Sequence, residues 1–363
     1  MRKLRNFQTS GDSQLKSWGA CRSHVFAVVA LAATAICAAT TDAQRVKKGF
    51  DRKAAEIRTA RLHDAKWGVF NHFLQSGCKT AEEWNAKVDG FDVEKVASQL
   101  ESCGAKFYFI TMMQAGAFIC APNATYDRIA GTEPGKACSR RDLPADLAAA
   151  LGKRGIDLYL YYTGDGPYKH KEIGGRFGFT EPRNVGVKRP FVEKWASVLE
   201  EYAVRYGENV KGWWIDGCYA GFFKYNDDLL ALYANAIRKG NPKALVAMNN
   251  GVRPYFAKHY SGDDFTCGEF NDFIAIPSDR FINGAQAFAL IPLGVSKDGS
   301  EWGRWAQPGC RRDAEFVADY VSLVNKAGGV VALEIKVYND GSFDPAQLEA
   351  LKVVGRRTGT LKR

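Results

Sequence analysis

The sequence predicts a single-domain α/β fold, a (β/α)8 TIM-like barrel, on three observations. Eight short apolar runs alternate with amphipathic stretches over roughly 300 residues, the rhythm of strand–helix units around a parallel sheet. No Gly-rich phosphate fingerprint opens the first strand–helix turn, which argues against a doubly wound open sheet. Nothing repeats at a fixed period, and no low-complexity linker marks a second domain.

The 363 residues are 46% hydrophobic and 25% charged, so one large core is affordable and an ordinary globular chain is expected. The amino terminus stands apart. Arg2, Lys3, Arg5, Lys16 and Arg22 precede an uncharged apolar run from Val25 to Thr40, with small residues up to Ala43. That layout predicts a secretory signal peptide over residues 1–43, cut at Ala43–Gln44, leaving the (β/α)8 domain over 44–363. The run falls short of the ~20 residues of a spanning helix, so no stable membrane association is expected after cleavage. Cys37, preceded by Thr34-Ala35-Ile36, is a poor match to a lipid-attachment site. A secreted or periplasmic protein is the expectation. The leader's five basic and two acidic side chains hold +3 of the formal net charge of +10, which leaves +7 on the remainder. A basic exported protein favours anionic partners such as sulfated or uronic polysaccharides, or the charge serves solubility alone. No RNA- or DNA-binding motif turns it into a nucleic-acid argument.

Seven cysteines follow the leader: Cys78, Cys103, Cys120, Cys138, Cys218, Cys267 and Cys310. None are spaced as CxxC, and histidines are few, so neither a zinc cluster nor any other metal site is expected. In an exported chain some pairing is expected, with Cys120–Cys138 closing one loop, and the odd count leaves at least one thiol free.

The strands are expected at Trp67–Phe73, Lys106–Thr111, Asp157–Thr163, Lys211–Asp216, Ala244–Asn250, Asp263–Phe270, Phe288–Gly294 and Gly329–Val337. Helices are expected at Val46–His63, Phe91–Cys103, Asp142–Lys153, Arg189–Tyr206, Asn226–Lys239, Arg312–Ala327 and Pro345–Val354. Asp263–Phe270 is the least regular strand. The loop from Met112 to Arg140 carries the sequon Asn123-Ala124-Thr125.

In such a barrel the carboxyl ends of the strands face one pocket. Read in order, those ends offer His72, Gln114, Tyr162 with Asp165, Asp216, Asn249 with Asn250, Glu269, and Trp302 to Trp305. Asp216 closes the apolar run Trp213-Trp214-Ile215, where it is either the centre of a site or merely a loop-starting acid. Two carboxylates among amides, aromatics and one histidine suit carbohydrate chemistry. Glycosidic cleavage needs a nucleophile or base and a proton donor about 5–9 Å apart. Aromatic faces stack on sugar rings, and amides and histidine bind hydroxyls. No nucleophile elbow, HExxH, P-loop or CxxC competes.

The same residues resemble the α-L-fucosidases of glycoside hydrolase family 29 across nearly all of the chain after the leader. Trp67-Gly68-Val69-Phe70-Asn71-His72-Phe73 is similar to that family's KFGxFxHWG strand, and Phe91-Asp92 with Gly104-Ala105-Lys106-Phe107 to its FD…aGAKY segment. Arg141-Asp142 is similar to its RD, and Leu158–Tyr162 to its GlYyS strand. Trp213-Trp214-Ile215-Asp216-Gly217 resembles its WxDG element, Gly262–Glu269 its GDYxTPE segment, and Lys326–Val337 with Asp340-Gly341 its SkGGNlLLN…DG close. The resemblance implies Asp216 as nucleophile and Glu269 as acid/base, with Asp264 and Asp165 as substitutes for the latter. It implies His72 as a sugar contact. Gln114, Tyr162, Trp214, Asn249 and Trp302 complete the expected substrate-binding set, with Trp305 and Tyr168 on flanking loops, while Trp213 is expected to pack inside the barrel.

The departures are concentrated in the sugar-reading shell. Where the family has KHHDGF, this chain has Met113-Gln114-Ala115-Gly116-Ala117-Phe118, without either histidine. Phe73 replaces the tryptophan of HWG, the GGN asparagine is missing, and the chain ends with the barrel, without the β-sandwich that often follows. The implied activity is a retaining glycoside hydrolase of α-L-fucosyl or related deoxysugar linkages, needing no cofactor and taking carbohydrate as its partner. An endo-acting hydrolase of fucose-rich or sulfated polysaccharide, and a non-catalytic carbohydrate-binding barrel, are the alternatives.

Overall fold

A computed structural model describes residues 49–179, 185–296 and 303–361. The expected signal peptide and Trp302 lie outside the described residues.

The strands are β1 (Trp67–Asn71), β2 (Phe107–Thr111), β3 (Asp157–Thr163), β4 (Val210–Asp216) and β5 (Leu245–Met248), then the arms of a small hairpin, β6 (Phe281–Ile282) and β7 (Ala285–Gln286), then β8 (Phe288–Pro292) and β9 (Val330–Ile335). Outside the hairpin they form one parallel sheet in the order β5-β4-β3-β2-β1-β9-β8. The expected sixth strand, 263–270, closes the gap between β5 and β8 without becoming a regular ladder. It makes parallel bridges at Phe265–Gln286 and Glu269–Leu290, and Asp264 N–H donates to Val246 O at 2.9 Å. Two carboxylates replace backbone acceptors here: Met248 N–H donates to Asp263 Oδ1 and Val246 N–H to Asp264 Oδ2. Gly268, at φ +53°, lies so close to Phe288 O that any Cβ would stand 1.9 Å from it. That left-handed glycine breaks the pleat, so eight staves form a barrel of which seven are continuous strands.

Side-chain alternation divides the core into two layers. Inward rows meet inside the barrel: Phe70; Phe107 and Phe109; Tyr159 and Tyr161; Trp214; Leu245 and Ala247; Phe265 and Cys267; Phe288 and Leu290; Val330 and Ala332. Gly68 and Gly212 belong to the same rows and leave room for the rings of Phe107 and Tyr159. Outward rows, including Tyr108, Leu160, Tyr162, Trp213 and Ile215, pack against the helices. Trp213 therefore packs between barrel and helices, not within the barrel as the sequence suggested, because adjacent strand residues point to opposite faces.

The helices are α1 (Arg52–Ala65), α2 (Ala81–Asp89), α3 (Val93–Cys103), α4 (Ala124–Ala130), α5 (Leu143–Gly152), α6 (Lys171–Phe177), α7 (Arg189–Tyr206), α8 (Asp227–Gly240), α9 (Ala314–Lys326) and α10 (Pro345–Thr358). Asp51, Asp92, Asp142, Asn226, Asp313 and Asp344 start six of them by accepting a first-turn N–H. Leu62 and Ala65 of α1 plug the end of the barrel opposite the pocket. The short α4 falls in the stretch expected to be a loop, and α2 and α6 fall where the sequence pattern predicts no element. Among the described residues, no helix is long and apolar enough to cross a membrane.

Two further expectations change. Cys120 and Cys138 do not pair: all seven described cysteines are free thiols, and these two are buried, Cys120 facing Thr111 O. The sequon residue Asn123 is 1% exposed, caps α4 through Oδ1 and donates its NH2 to Val198 O, so its amide is committed to the fold.

Candidate active site

The site is the last inward-facing position of successive staves. Asp216 continues the row of Gly212 and Trp214, Asn249 that of Leu245 and Ala247, and Glu269 that of Phe265 and Cys267. The next residue after Asp216 must turn sharply. Gly217 has φ +68°, and a Cβ there would stand 2.9 Å from Asp165 Cγ.

Asp216 is held from three sides. Tyr161 Oη donates to its Oδ2 at 2.6 Å, while Tyr219 Oη and Asn249 Nδ2 donate to Oδ1 at 3.1 and 2.8 Å. The Asn249 NH2 group also donates to Glu269 Oε2 at 2.6 Å, and its Oδ1 accepts from Gly251 N–H. One NH2 group therefore bridges the two carboxylates and holds the bonded oxygens no farther apart than its two contacts combined. That bound is shorter than the about 6.5–9.5 Å that separates the carboxyl groups of an inverting pair.

The two acids differ in environment. Lost hydration, then the neighbouring Asp216 charge, push the Glu269 carboxyl up to about 8, against a smaller downward pull from Asn249. Burial, then the Asp216 charge, keep the Tyr161 hydroxyl well above its ordinary value, so it remains a donor at neutral pH. Tyr161→Phe is expected to lower kcat/KM by roughly 10–100-fold, the worth of a hydrogen bond to a charged group. Steady-state rates within twofold of wild type would show that this hydroxyl does not matter.

Glu269 also ties stability to pH. Its folded value lies above the ordinary 4.5, so the folded chain keeps a proton the unfolded chain releases. The associated stability is fully present below 4.5 and is lost as pH rises through about 8. Glu269→Gln is expected to remove this loss, raising the melting temperature at pH 8 by about 2–5 °C with little change near pH 4. Thermal melts across that range check it; parallel wild-type and variant curves would contradict the assignment.

Around the acids lies a cavity of about 200 Å³ lined in part by Phe70, His72, Gln114, Tyr161, Trp214 and Trp305. Trp214 stacks on Tyr161 with ring centroids 5.3 Å apart, and Trp305 stands edge-on to His72 at 5.6 Å. His72 Nδ1 bonds Glu334 Oε1 at 2.9 Å, and Ala306 N–H donates to the same oxygen at 2.8 Å. Glu334 is fully buried; desolvation raises its carboxyl, with His72 pulling it back. Gln114 Nε2 donates to Tyr161 Oη at 3.0 Å, so it occupies the place of the missing histidines by supporting the tyrosine on Asp216.

The expected residues His72, Gln114, Trp214, Asp216 and Glu269 thus line one pocket, and Asn249 bonds both acids there. Tyr162 does not. It faces outward, stacks on Trp195 and donates to Trp195 O, while its neighbour Tyr161 takes the inward position. Tyr168 packs against Phe179 and Phe223, away from the pocket lining. Asp264 pairs with Arg58 of α1, and buried Asp165 bonds Thr163, so neither lines the pocket beside Glu269. Tyr161, Tyr219 and Glu334 were not anticipated. Strand parity points to Tyr161, and an acid inside the apolar run Val330–Ile335 is itself a sign of a committed polar group. Among the described residues, no group of three or more His, Cys, Asp or Glu could hold a metal ion.

A search of curated proteins returned no match. Among solved structures, a bacterial fucosidase with a monovalent iminocyclitol inhibitor is 18% identical with a TM-score of 0.57; the match covers 83% of this chain and 74% of that one. An alpha-L-fucosidase of glycoside hydrolase family 29 from Bacteroides thetaiotaomicron gives 18% and 0.56, covering 85% and 74%. An endo-fucoidan hydrolase of glycoside hydrolase family 107 gives 14% and 0.63, covering 84% of this chain and 64% of that one. At such identities these structures share the fold. The sequence model of the alpha-L-fucosidase family matches residues 37–359, nearly the whole chain. The chain belongs to the alpha-L-fucosidase family and is a glycoside hydrolase.

Proposed function

We propose that the protein is an exported, retaining hydrolase of α-L-fucosyl linkages, with Asp216 as nucleophile and Glu269 as acid/base. The observation that carries this reading is the single Asn249 NH2 group bonded to both acids at the mouth of an aromatic-lined pocket. Family membership supports the fucosyl unit.

Asp216 Oδ1 accepts two hydrogen bonds and Oδ2 accepts one, so Oδ2 keeps a lone pair for the anomeric carbon. Attack forms a C1–Oδ2 ester bond as the C1–leaving-oxygen bond breaks, and the Glu269 proton passes to the leaving oxygen. In the second step Glu269 takes a proton from water, the water oxygen bonds C1, and the ester electrons return to Asp216. His72, its Nδ1 held by Glu334, turns the other ring nitrogen to the sugar, and Trp214 and Trp305 offer ring faces.

Incubation with a 2-fluoro-fucosyl fluoride, followed by peptide mass spectrometry, tests the reading. A fucosyl adduct on Asp216 is expected; an adduct elsewhere, or inversion at the anomeric carbon in NMR-monitored hydrolysis, would overturn it. Export belongs to the same proposal: sequencing the mature chain is expected to start at Gln44, and retention of residues 1–43 would contradict it.

A further inference from the structure

The catalytic pocket does not close beyond the ring it receives. At Leu74 and Gln114 its wall is shared with a second chamber of about 400 Å³. The loop after β1 forms one side of this chamber, the turn after β2 another, and Lys169 with His170, just before α6, a third.

The two compartments differ in charge. The catalytic pocket contains both carboxylates, whereas the lining of the second chamber has no carboxylate and carries Lys169 and His170. Lys169 is exposed, its backbone N–H is tied to Ala115 O at 3.1 Å, and among the described residues no carboxylate pairs with its ammonium. His170 Nδ1 accepts from Ile173 N–H, which leaves the ring proton on Nε2 as a donor. Gln75 Oε1 accepts from Phe118 N–H, so its NH2 group remains a donor as well. Behind the wall, the Lys87 ammonium donates to Leu74 O and Ser76 O at 2.7 and 3.4 Å. An ammonium, an imidazole N–H and an amide NH2 around an acid-free space are donors suited to an anion.

Topology says which side of the substrate meets this chamber. In an eight-stave barrel the stave of Gln114 lies opposite that of Glu269. Glu269, as proton donor, marks the side of the leaving group. A much smaller space of about 50 Å³ adjoins Glu269 there. The large chamber therefore faces the part of the fucosyl unit away from the scissile bond.

Building on the proposed fucosyl hydrolysis, we infer that this chamber binds a second saccharide unit, linked to the non-reducing side of the cleaved fucosyl residue and bearing a sulfate ester or carboxylate recognised by Lys169 and His170. The enzyme then cuts inside an acidic, fucose-containing chain as well as at its end.

The test compares a neutral aryl α-L-fucoside, a sulfated α-L-fuco-oligosaccharide, its desulfated counterpart and a uronate-bearing fuco-oligosaccharide, for the wild type, Lys169→Glu and Lys169→Arg. Wild type is expected to favour an acidic oligosaccharide over the desulfated one by about tenfold in kcat/KM and to release products larger than one sugar. The preferred acidic substrate, sulfated or uronate-bearing, identifies the anion. Lys169→Glu is expected to erase that preference, Lys169→Arg to keep most of it, and rising salt to weaken it. Equal rates on charged and desulfated chains, release of single fucose only, or a preference unmoved by Lys169→Glu would each overturn the inference. Hydrolysis of the aryl fucoside alone would leave the proposed function standing while removing this one. Failure on every substrate would remove both.

Discussion

Asp216→Gly is expected to lower kcat by roughly 10⁴–10⁶, the range seen when a covalent nucleophile is removed. The substitution leaves space where three donors converge; water entering that space can accept from them, so the fold is expected to survive, as circular dichroism of the variant would show. That space admits a small anion. Azide added to the variant with an activated aryl fucoside is expected to restore part of the turnover and yield a fucosyl azide of inverted anomeric configuration. The azide would enter from the face that Asp216 occupied. Wild-type-like rates in the variant, or rescue that yields the retained azide, would remove Asp216 from the nucleophile role.

The second large effect belongs to Glu269→Gln, and it divides by substrate. An activated aryl leaving group departs with little help, so fucosylation of the enzyme should continue. A sugar leaving group needs the proton, and there the loss is expected at ~10²–10⁴. The pH profile carries the sharper sign. The acid must be protonated to act, and its carboxyl lies at about 8, so wild-type kcat/KM on sugar substrates is expected to hold below that value and fall above it. In the variant this alkaline limb should vanish. A limb that persists in Glu269→Gln would assign it to another group, and equal losses on aryl and sugar substrates would argue against proton donation.

Much of this site is legible in the residues. The apolar run ending in Asp216, the acid Glu269 two staves later and the amide Asn249 between them follow from strand periodicity and from the barrel's habit of placing chemistry at strand ends. Strand phase is harder to read. Tyr161 and Tyr162 are chemically identical neighbours, and so are Trp213 and Trp214, so only the inward row decides which of each pair lines the pocket. Counting back from Asp216 fixes the tryptophan, and the β3–β4 register, with Tyr161 beside Trp214, fixes the tyrosine. The irregular stave 263–270 was legible only as a weak strand, because Gly268 and the side chains of Asp263 and Asp264 replace the pattern a regular ladder would show. Sequence spacing suggests a Cys120–Cys138 pair, yet both thiols are free and buried, Cys120 donating to Thr111 O, and nothing in spacing reports on that.

The Asn249 bridge has a consequence for the catalytic cycle as a whole. In the proposed resting state Asp216 carries the negative charge and Glu269 the proton; in the glycosyl-enzyme Asp216 is a neutral ester and Glu269 the anion. The pair holds one unit of charge throughout, and the amide meets that unit with a hydrogen bond wherever it resides, without having to rotate. Esterification also removes the Asp216 charge that helps to raise the Glu269 carboxyl, so its acidity strengthens once its proton has been given away. The two steps thus place opposite demands on one residue, and the covalent bond itself switches between them.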